Sequence, residues 1–126
     1  MIAILKKIIP AALFNRLQPA YHYLLALAGA LIYRFPARQL RVIAVTGTKG
    51  KSSVAEMVNA LLETSGRRTA VASTIRFKIG AASQRNLYKM TMPGRLVLQR
   101  FLRRAVAAGC TDAIIEMTSE GARQFR

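Results

Sequence analysis

The chain has 126 residues, 52% of them apolar, and its 20 Lys and Arg against 5 Asp and Glu give a formal net charge of +15. That length and apolar content suit one small domain with a real core, and the charge points to an anionic partner: nucleic acid, an anionic membrane or an anionic substrate. The lone cysteine, Cys110, excludes an internal disulfide and suits a reducing cytosol; no Cys/His metal spacing, zinc-finger spacing or aromatic-interleaved RNA-binding motif is present, which argues against specific nucleic-acid recognition.

Residues 1–40 read as an apolar and basic helical arm, punctuated by Pro10, Pro19 and Pro36. Residues 20–33 are apolar nearly all round, rich in helix formers, and would make a helix about 21 Å long at about 1.5 Å per residue. A spanning helix needs about 20 residues, so this one is short. Tyr21, Tyr23 and Tyr33, with Arg34, Arg38 and Arg41 beyond, resemble an interfacial anchor. Three readings stand side by side. Lys6 and Lys7 are suited to the basic end of a secretory signal, although Pro10, Asn15, Arg16 and Pro19 interrupt its apolar region and export strands a nucleotide site outside the cytosol. The arm also suits a monotopic or re-entrant membrane contact, or a helical hairpin packed on the domain that follows or on further sequence. His22, between two tyrosines, reads as a packing or interfacial residue.

From residue 41 the pattern alternates strand and helix. Residues 41–46 form an apolar first strand, expected to be buried and parallel. Residues 52–65 form a helix with Val54, Met57, Val58, Leu61 and Leu62 on one face, closed by Gly66. Residues 68–74 make a second strand, and residues 75–79 alternate apolar and basic as a half-exposed strand ending at Gly80. Residues 81–93 read as a polar loop. Residues 94–108 form a helix with Leu96, Leu98, Phe101, Leu102 and Val106 as candidate buried positions. It ends near Gly109 and Cys110, the latter read as a buried structural thiol. Residues 112–117 are the next strand, and Thr118-Ser119-Glu120-Gly121 turns into another helix. This order predicts an α/β fold: an open, mostly parallel sheet of the phosphate-loop type flanked by helices, preceded by the apolar arm.

The stretch with the most chemistry is Thr46-Gly47-Thr48-Lys49-Gly50-Lys51-Ser52-Ser53, between the first strand and its helix. Glycines let backbone N–H groups close around phosphate oxygens, and a helix N-terminus adds partial positive charge. Lys51 suits the outer phosphates of a nucleotide triphosphate and the Ser52 hydroxyl suits Mg²⁺. The common version of such a loop has a glycine five residues before its second one; here that position is Val45 and the first glycine is Gly47. In parallel sheets ligands collect at the C-terminal strand ends, so the loop, Thr74 and the run Glu116-Met117-Thr118-Ser119-Glu120 are expected along one rim. Glu116 is the penultimate residue of an otherwise apolar strand, where a carboxylate needs a partner: Mg²⁺ beside the triphosphate, or one of the many arginines. Glu120 reads either as a site residue or as a favourable charge in the first turn of the next helix.

Together these residues resemble the Mur ligase family, nearest its branch of UDP-N-acetylmuramoyl-tripeptide synthetases. The likeness covers about residues 41–126, the start of that family's central ATP-binding domain, and leaves 1–40 as the arm. The loop is similar to the family's Thr-Gly-Thr-x-Gly-Lys-[Thr/Ser], which also lacks the early glycine. Thr74-Ile75-Arg76-Phe77-Lys78-Ile79-Gly80 resembles Thr-x-Gly-Tyr-x-x-Gly. Thr91-Met92-Pro93 resembles a Thr-Thr-Pro substrate motif, of which Thr91 keeps the hydroxyl. Glu116-Met117-Thr118-Ser119 resembles Glu-Val-Ser-Ser, whose glutamate binds Mg²⁺. The histidine that follows it in the family is Glu120 here, and a carboxylate also serves a hard cation.

The resemblance implies an ATP- and Mg²⁺-dependent ligase of cell-wall peptidoglycan synthesis that joins a muramyl-peptide carboxylate to an amino acid through an acyl phosphate. Gly47, Thr48, Lys49, Gly50, Lys51, Ser52 and Ser53 hold the nucleotide in that reading, with Lys51 and Glu116 catalytic and Ser52, Glu116 and Glu120 at the metal. Thr91, Thr118, Gln124 and Arg126 orient the acceptor. The family's N-terminal uridine-binding domain has no counterpart here; the arm suits a lipid-linked or membrane-held acceptor, at the inner face of the membrane. The likeness also implies an N-terminal part of a longer enzyme, expected not to turn over alone. Other Mur-like amide ligases, acting on folate or a polypeptide, and a non-catalytic ATP-binding module are the alternatives.

Overall fold

The computed structural model describes residues 11–87 and 94–123. Helix α1 runs over Ala11–Ile32 and is followed by a 3-10 turn at Pro36–Gln39. Strand β1 (Arg41–Val45), helix α2 (Lys51–Thr64), strands β2 (Thr69–Ala72), β3 (Arg76–Ile79) and β4 (Ala82–Arg85), helix α3 (Arg95–Ala107), strand β5 (Asp112–Glu116) and helix α4 (Ser119–Arg123) complete the order.

The described strands form one sheet in the order β1-β5-β2-β3-β4. β5 pairs in parallel with β1 and β2, whereas β3 pairs antiparallel with β2 and with β4. The expected mostly parallel sheet is thus corrected to a parallel half and an antiparallel half. The reason lies in the connections: Ser73–Ile75 is too short to carry a crossover back to the strand start, so the chain reverses. Ser73 fixes that reversal, its Oγ accepting the N–H groups of Ile75 and Arg76 at 3.2 and 3.1 Å. The second correction is β4, which lies inside the stretch read as a polar loop. Its residues Ala82–Arg85 are all exposed, so no apolar alternation marks them.

Both faces of the central strands are covered, which explains why β2 and β5 are buried along their whole length. The period of two divides their side chains. Ala70, Ala72, Ala113 and Ile115 pack with Phe77 against Leu98, Phe101, Leu102 and Ala105 of α3, while Val71 and Ile114 face Ala55 of α2 on the other side. The rings of Phe77 and Phe101 meet edge to face with centroids 5.4 Å apart. Cys110 is buried in the α3 layer as expected, its thiol 3.5 Å from the carbonyl of Thr69.

Three apolar expectations fail at the helices and the edge. β1 is an edge strand with Arg41, Val42 and Ala44 exposed, not a buried one. On α2 the buried face is Ala55 and Asn59 with Val58 and Leu62 beside them, so Met57 and Leu61 stand 65% and 70% exposed and Val54 is exposed too. Asn59 earns its inward place by hydrogen bonding: its Oδ1 accepts from Thr69 Oγ1 at 2.5 Å and its Nδ2 donates to Glu63 at 3.1 Å. Leu96 of α3 is likewise exposed rather than in the core.

α1 continues through Pro19, which the sequence pattern places at a break. Proline removes one helical N–H and frees the carbonyl of Asn15; both residues are exposed, so water reaches that carbonyl. The helix closes with Arg34 and Phe35 in the left-handed region, the Phe35 N–H donating to Ala30 at 2.7 Å, and Arg38 stacks over the Phe35 ring at 4.7 Å. α1 rests on α3, where buried Gly29 sits so close that a Cβ there meets Leu96 at 3.3 Å. His22 contacts Arg95 of α3, in keeping with its expected packing role.

Candidate functional site

The two ends of the parallel strands differ in chemistry. At their N-terminal ends charges are neutralised in pairs. Asp112, the first residue of β5, is fully buried and accepts from Arg67 Nε at 2.8 Å and from Thr111 Oγ1 at 2.6 Å, with Arg41 3.8 Å away. Lys78 ion-pairs with Glu63 and donates to Thr69 Oγ1 at 3.2 Å. At the other end of β2, where the chain reverses into β3, Arg76 holds Glu56 with two hydrogen bonds of 2.9 and 2.6 Å. These partners hold both carboxyls below the usual range, Glu56 through the Arg76 hydrogen bonds and Glu63 through Lys78.

The C-terminal ends carry the residues singled out in the sequence. β1 ends at Val45 and opens into the glycine loop; β5 ends at Glu116; β2 ends at Ala72, just before Ser73 and Thr74. Because β5 lies between β1 and β2, the glutamate is flanked by both loops. Val45 pairs directly with Glu116, and the Met117 N–H donates to the Val45 carbonyl at 2.8 Å. The position of the loop relative to the glutamate therefore follows from strand register.

Within the loop, Gly47 has φ 151° and Gly50 φ 75°, backbone that L side chains rarely adopt. Gly50 caps α2 without any side-chain hydrogen bond, which leaves the first-turn N–H groups of α2 facing the loop without an intrahelical partner. Thr46, Gly47, Thr48, Lys49 and Gly50 are exposed, as is Ser53, and Lys51 and Ser52 are half-buried. Lys51 folds back so that its Nζ donates to the Gly47 carbonyl at 2.9 Å. The arrangement offers first-turn backbone donors with an ammonium group beside them, which is what polyphosphate oxygens need.

Glu116 is 0% exposed. Its Oε2 accepts from the Thr74 N–H at 3.1 Å and from Thr74 Oγ1 at 2.6 Å. Its Oε1 is buried and has no hydrogen-bond partner among the described residues. An orphaned buried carboxylate oxygen is costly unless a donor or cation completes it. No group of three or more His, Cys, Asp or Glu that would cage a metal occurs among the described residues. One carboxylate, a serine hydroxyl and substrate phosphates are nonetheless the ordinary coordination of Mg²⁺, which keeps several waters. Glu116 Oε1 and Ser52 at the start of α2 fit that donor set.

Thr118 sits half-buried after β5 and its Oγ1 accepts the Gly121 N–H at 3.0 Å, so it starts α4. Glu120 lies exposed in the first turn of α4, as one of its two readings has it. Thr91, Gln124 and Arg126 lie outside the described residues. The contact missing from the sequence reading is the grip of Thr74 on Glu116. Thr74 was expected on the rim, but only the close approach of the β2 end to the β5 end reveals its partner. Asn86 was also missed: its Nδ2 donates to the Ser73 carbonyl at 2.8 Å and braces the turn carrying Thr74.

Comparisons with known proteins bear on the same residues. Residues 45–126 match the family model described as the Mur ligase middle domain. A UDP-N-acetylmuramyl-tripeptide synthetase of Treponema pallidum (strain Nichols) is 39% identical over 97 residues, which is 77% of this chain and 18% of that protein. A UDP-N-acetylmuramoyl-L-alanyl-D-glutamate--2,6-diaminopimelate ligase of Chlamydia trachomatis serovar D is 37% identical over 100 residues, 77% of this chain and 20% of that protein. A solved structure of a UDP-N-acetylmuramoyl-L-alanyl-D-glutamate--2,6-diaminopimelate ligase superposes with a TM-score of 0.62 at 30% identity, over 77% of this chain and 20% of that one. The chain spans about a fifth of the length of the relatives it matches.

Proposed function

This chain belongs to the Mur ligase family, and from that premise we propose that it supplies the nucleotide half of an ATP-dependent ligase that joins a muramyl-peptide carboxylate to an amino acid. The observation that carries the proposal is Glu116: buried, held by Thr74 through one oxygen, open at the other, and register-paired with the residue that opens the glycine loop.

In this reading a carboxylate oxygen of the muramyl peptide attacks the γ-phosphorus of ATP, the bond to the β-phosphate oxygen breaks, and ADP leaves. The amine nitrogen of the amino acid then attacks the acyl-phosphate carbonyl, losing a proton as inorganic phosphate departs and the amide forms. Neither step needs a protein nucleophile, so positioning and charge neutralisation supply the catalysis. The N–H groups from Gly47 to Ser53 hold the phosphates. Lys51 exchanges its bond to the Gly47 carbonyl for the transferring phosphoryl group. Mg²⁺, when bound, neutralises the triphosphate oxygens and fixes their geometry. Glu116 and the Ser52 hydroxyl would hold it, and Glu120 adds a second carboxylate near the end of β5. Thr91, Thr118, Gln124 and Arg126 orient the acceptor. A reaction that consumes ATP suits the cytoplasm, which is the location this reading carries.

The test is product formation by the whole protein supplied with Mg-ATP, a muramyl dipeptide acceptor and an amino acid. An amide product formed in step with ADP, and lost in Lys51→Ala and Glu116→Gln, supports the proposal. ATP binding or hydrolysis without any amide product would refute it.

A further inference from the structure

The face of α1 turned away from α3 is apolar and is not covered by any of the described residues. His22 and Gly29 point toward α3, where they meet Arg95 and Leu96. On the opposite side Leu13, Leu17, Leu24 and Leu31 recur at spacings of four and seven and stand 50% to 62% exposed. Tyr21, Tyr23, Leu25 and Leu27 widen that face and are exposed as well. At about 100° per residue these positions span an arc of roughly 200°, on a helix about 33 Å long. A two-helix seam uses only a narrow a/d stripe, and a helix packed on a globular core uses little more than about 100°. An arc twice that width fits a broad apolar medium better than one partner helix.

The surrounding charge selects the medium. No Asp or Glu occurs in residues 1–55 or in residues 65–111, so α1, the turn after it and α3 carry cations without one carboxylate among them. Arg34 and Arg38 follow α1 and Arg103 lies on the helix beneath it, whereas Arg100 and Arg104 line the groove between that helix and β3 and β4. A second copy of this chain placed on the apolar arc would bring two such cationic sets together, which costs energy. A surface of anionic lipid headgroups meets the same set favourably, at about 1 kcal/mol for each Lys or Arg near it. Arg16, at the edge of the arc, is exposed and long enough to keep its guanidinium at headgroup level while its stem lies along apolar surface.

We propose that α1 lies in the interface of an anionic bilayer, with its leucine arc among the acyl chains and the arginines around it on the lipid phosphates. The helix lies on the membrane rather than through it: among the described residues no helix is long and apolar enough to cross. The chemistry recognised is a phosphodiester-bearing apolar surface. The proposal is independent of the nucleotide chemistry, since α1 contributes no residue to the loop or to Glu116.

The chain has no tryptophan, so Leu24→Trp introduces a single fluorophore on the arc and Gln84→Trp one on exposed β4 as a control. Each is titrated with vesicles of phosphatidylcholine alone and of phosphatidylcholine with phosphatidylglycerol, in low and high salt. The expected result is a blue shift for Leu24→Trp with anionic vesicles only, weakened by salt, and none for Gln84→Trp. Sedimentation with the anionic vesicles should fall about a hundredfold in Leu17→Glu/Leu24→Glu, from two lost leucine burials. Both positions are exposed, so that variant should keep its helical circular dichroism. No shift and no co-sedimentation overturns the proposal. Equal binding by the double glutamate variant, or a dimer in light scattering that this variant abolishes without vesicle binding, overturns it as well.

Discussion

Replacing Thr74 by valine isolates the contact that positions Glu116. Valine keeps the shape and the backbone N–H bond of 3.1 Å to Glu116 Oε2 but removes the 2.6 Å hydroxyl donor. A hydrogen bond to a charged group contributes about 1.5–3 kcal/mol. Glu116 is fully buried, which favours the upper end, but Thr74 itself is exposed, so water can take part of the hydroxyl's place. The working figure is therefore about 1.5 kcal/mol of folding free energy, read from urea unfolding at neutral pH. Thr74→Ser retains the donor and should lose less than about 0.5 kcal/mol. In the same variants, Mg-ATP affinity should fall with Thr74→Val and stay near the parent with Thr74→Ser, because a loosened carboxylate no longer presents Oε1 at a fixed place. A stable Thr74→Val protein with unchanged Mg-ATP affinity would refute the reasoning, as would equal losses in both variants.

Three further outcomes follow from other contacts. Lys51→Ala should weaken ATP binding by about tenfold or more, the value of one charge-assisted bond, while urea unfolding moves little because the Lys51 side chain bonds, among the described residues, to the Gly47 carbonyl of its own loop. Glu63→Ala removes the ion-pair partner of the buried Lys78 ammonium, but Glu63 is itself 42% exposed and water screens the pair, so the loss should be about 1–2 kcal/mol, whereas Lys78→Met, which removes the buried charge itself, should cost clearly less; equal costs would contradict this. The folded-state pKa values of Glu56 and Glu63 lie below the ordinary value of 4.5, so their contribution is fully present above that value and is lost as pH falls through the lowered ones. Thermal melts from pH 6 downward should show it, and replacing both glutamates by glutamine should flatten the acid limb.

How far the sequence discloses this arrangement depends on what each residue's neighbours are. The glycine loop is legible because Gly47 and Gly50 occupy backbone that other residues avoid and because an apolar strand and a helix flank them. The place of Glu116 beside that loop is legible through the rule that parallel strands deliver their C-terminal ends to one rim, and the Val45–Glu116 register realises it. Its partner Thr74 is not, since 42 residues separate them and only the β5–β2 pairing joins their ends. β4 escaped because Ala-Ser-Gln-Arg is polar throughout and pairs only at a sheet edge. On α2, apolarity pointed to Met57 and Leu61, yet small Ala55 and hydrogen-bonded Asn59 took the inward positions. Pro19 misled in the same way: its missing N–H matters less where water reaches the freed carbonyl.

The central claim is that the loop and Glu116 serve a carboxylate's attack on ATP. It is tested most directly by giving the whole protein a muramyl dipeptide acceptor labelled with oxygen-18 in its reacting carboxylate, together with Mg-ATP and an amino acid, and reading the released phosphate by mass. Attack through the carboxylate oxygen transfers one labelled oxygen into each phosphate formed. Phosphate released without the label, alongside amide product, would contradict the account.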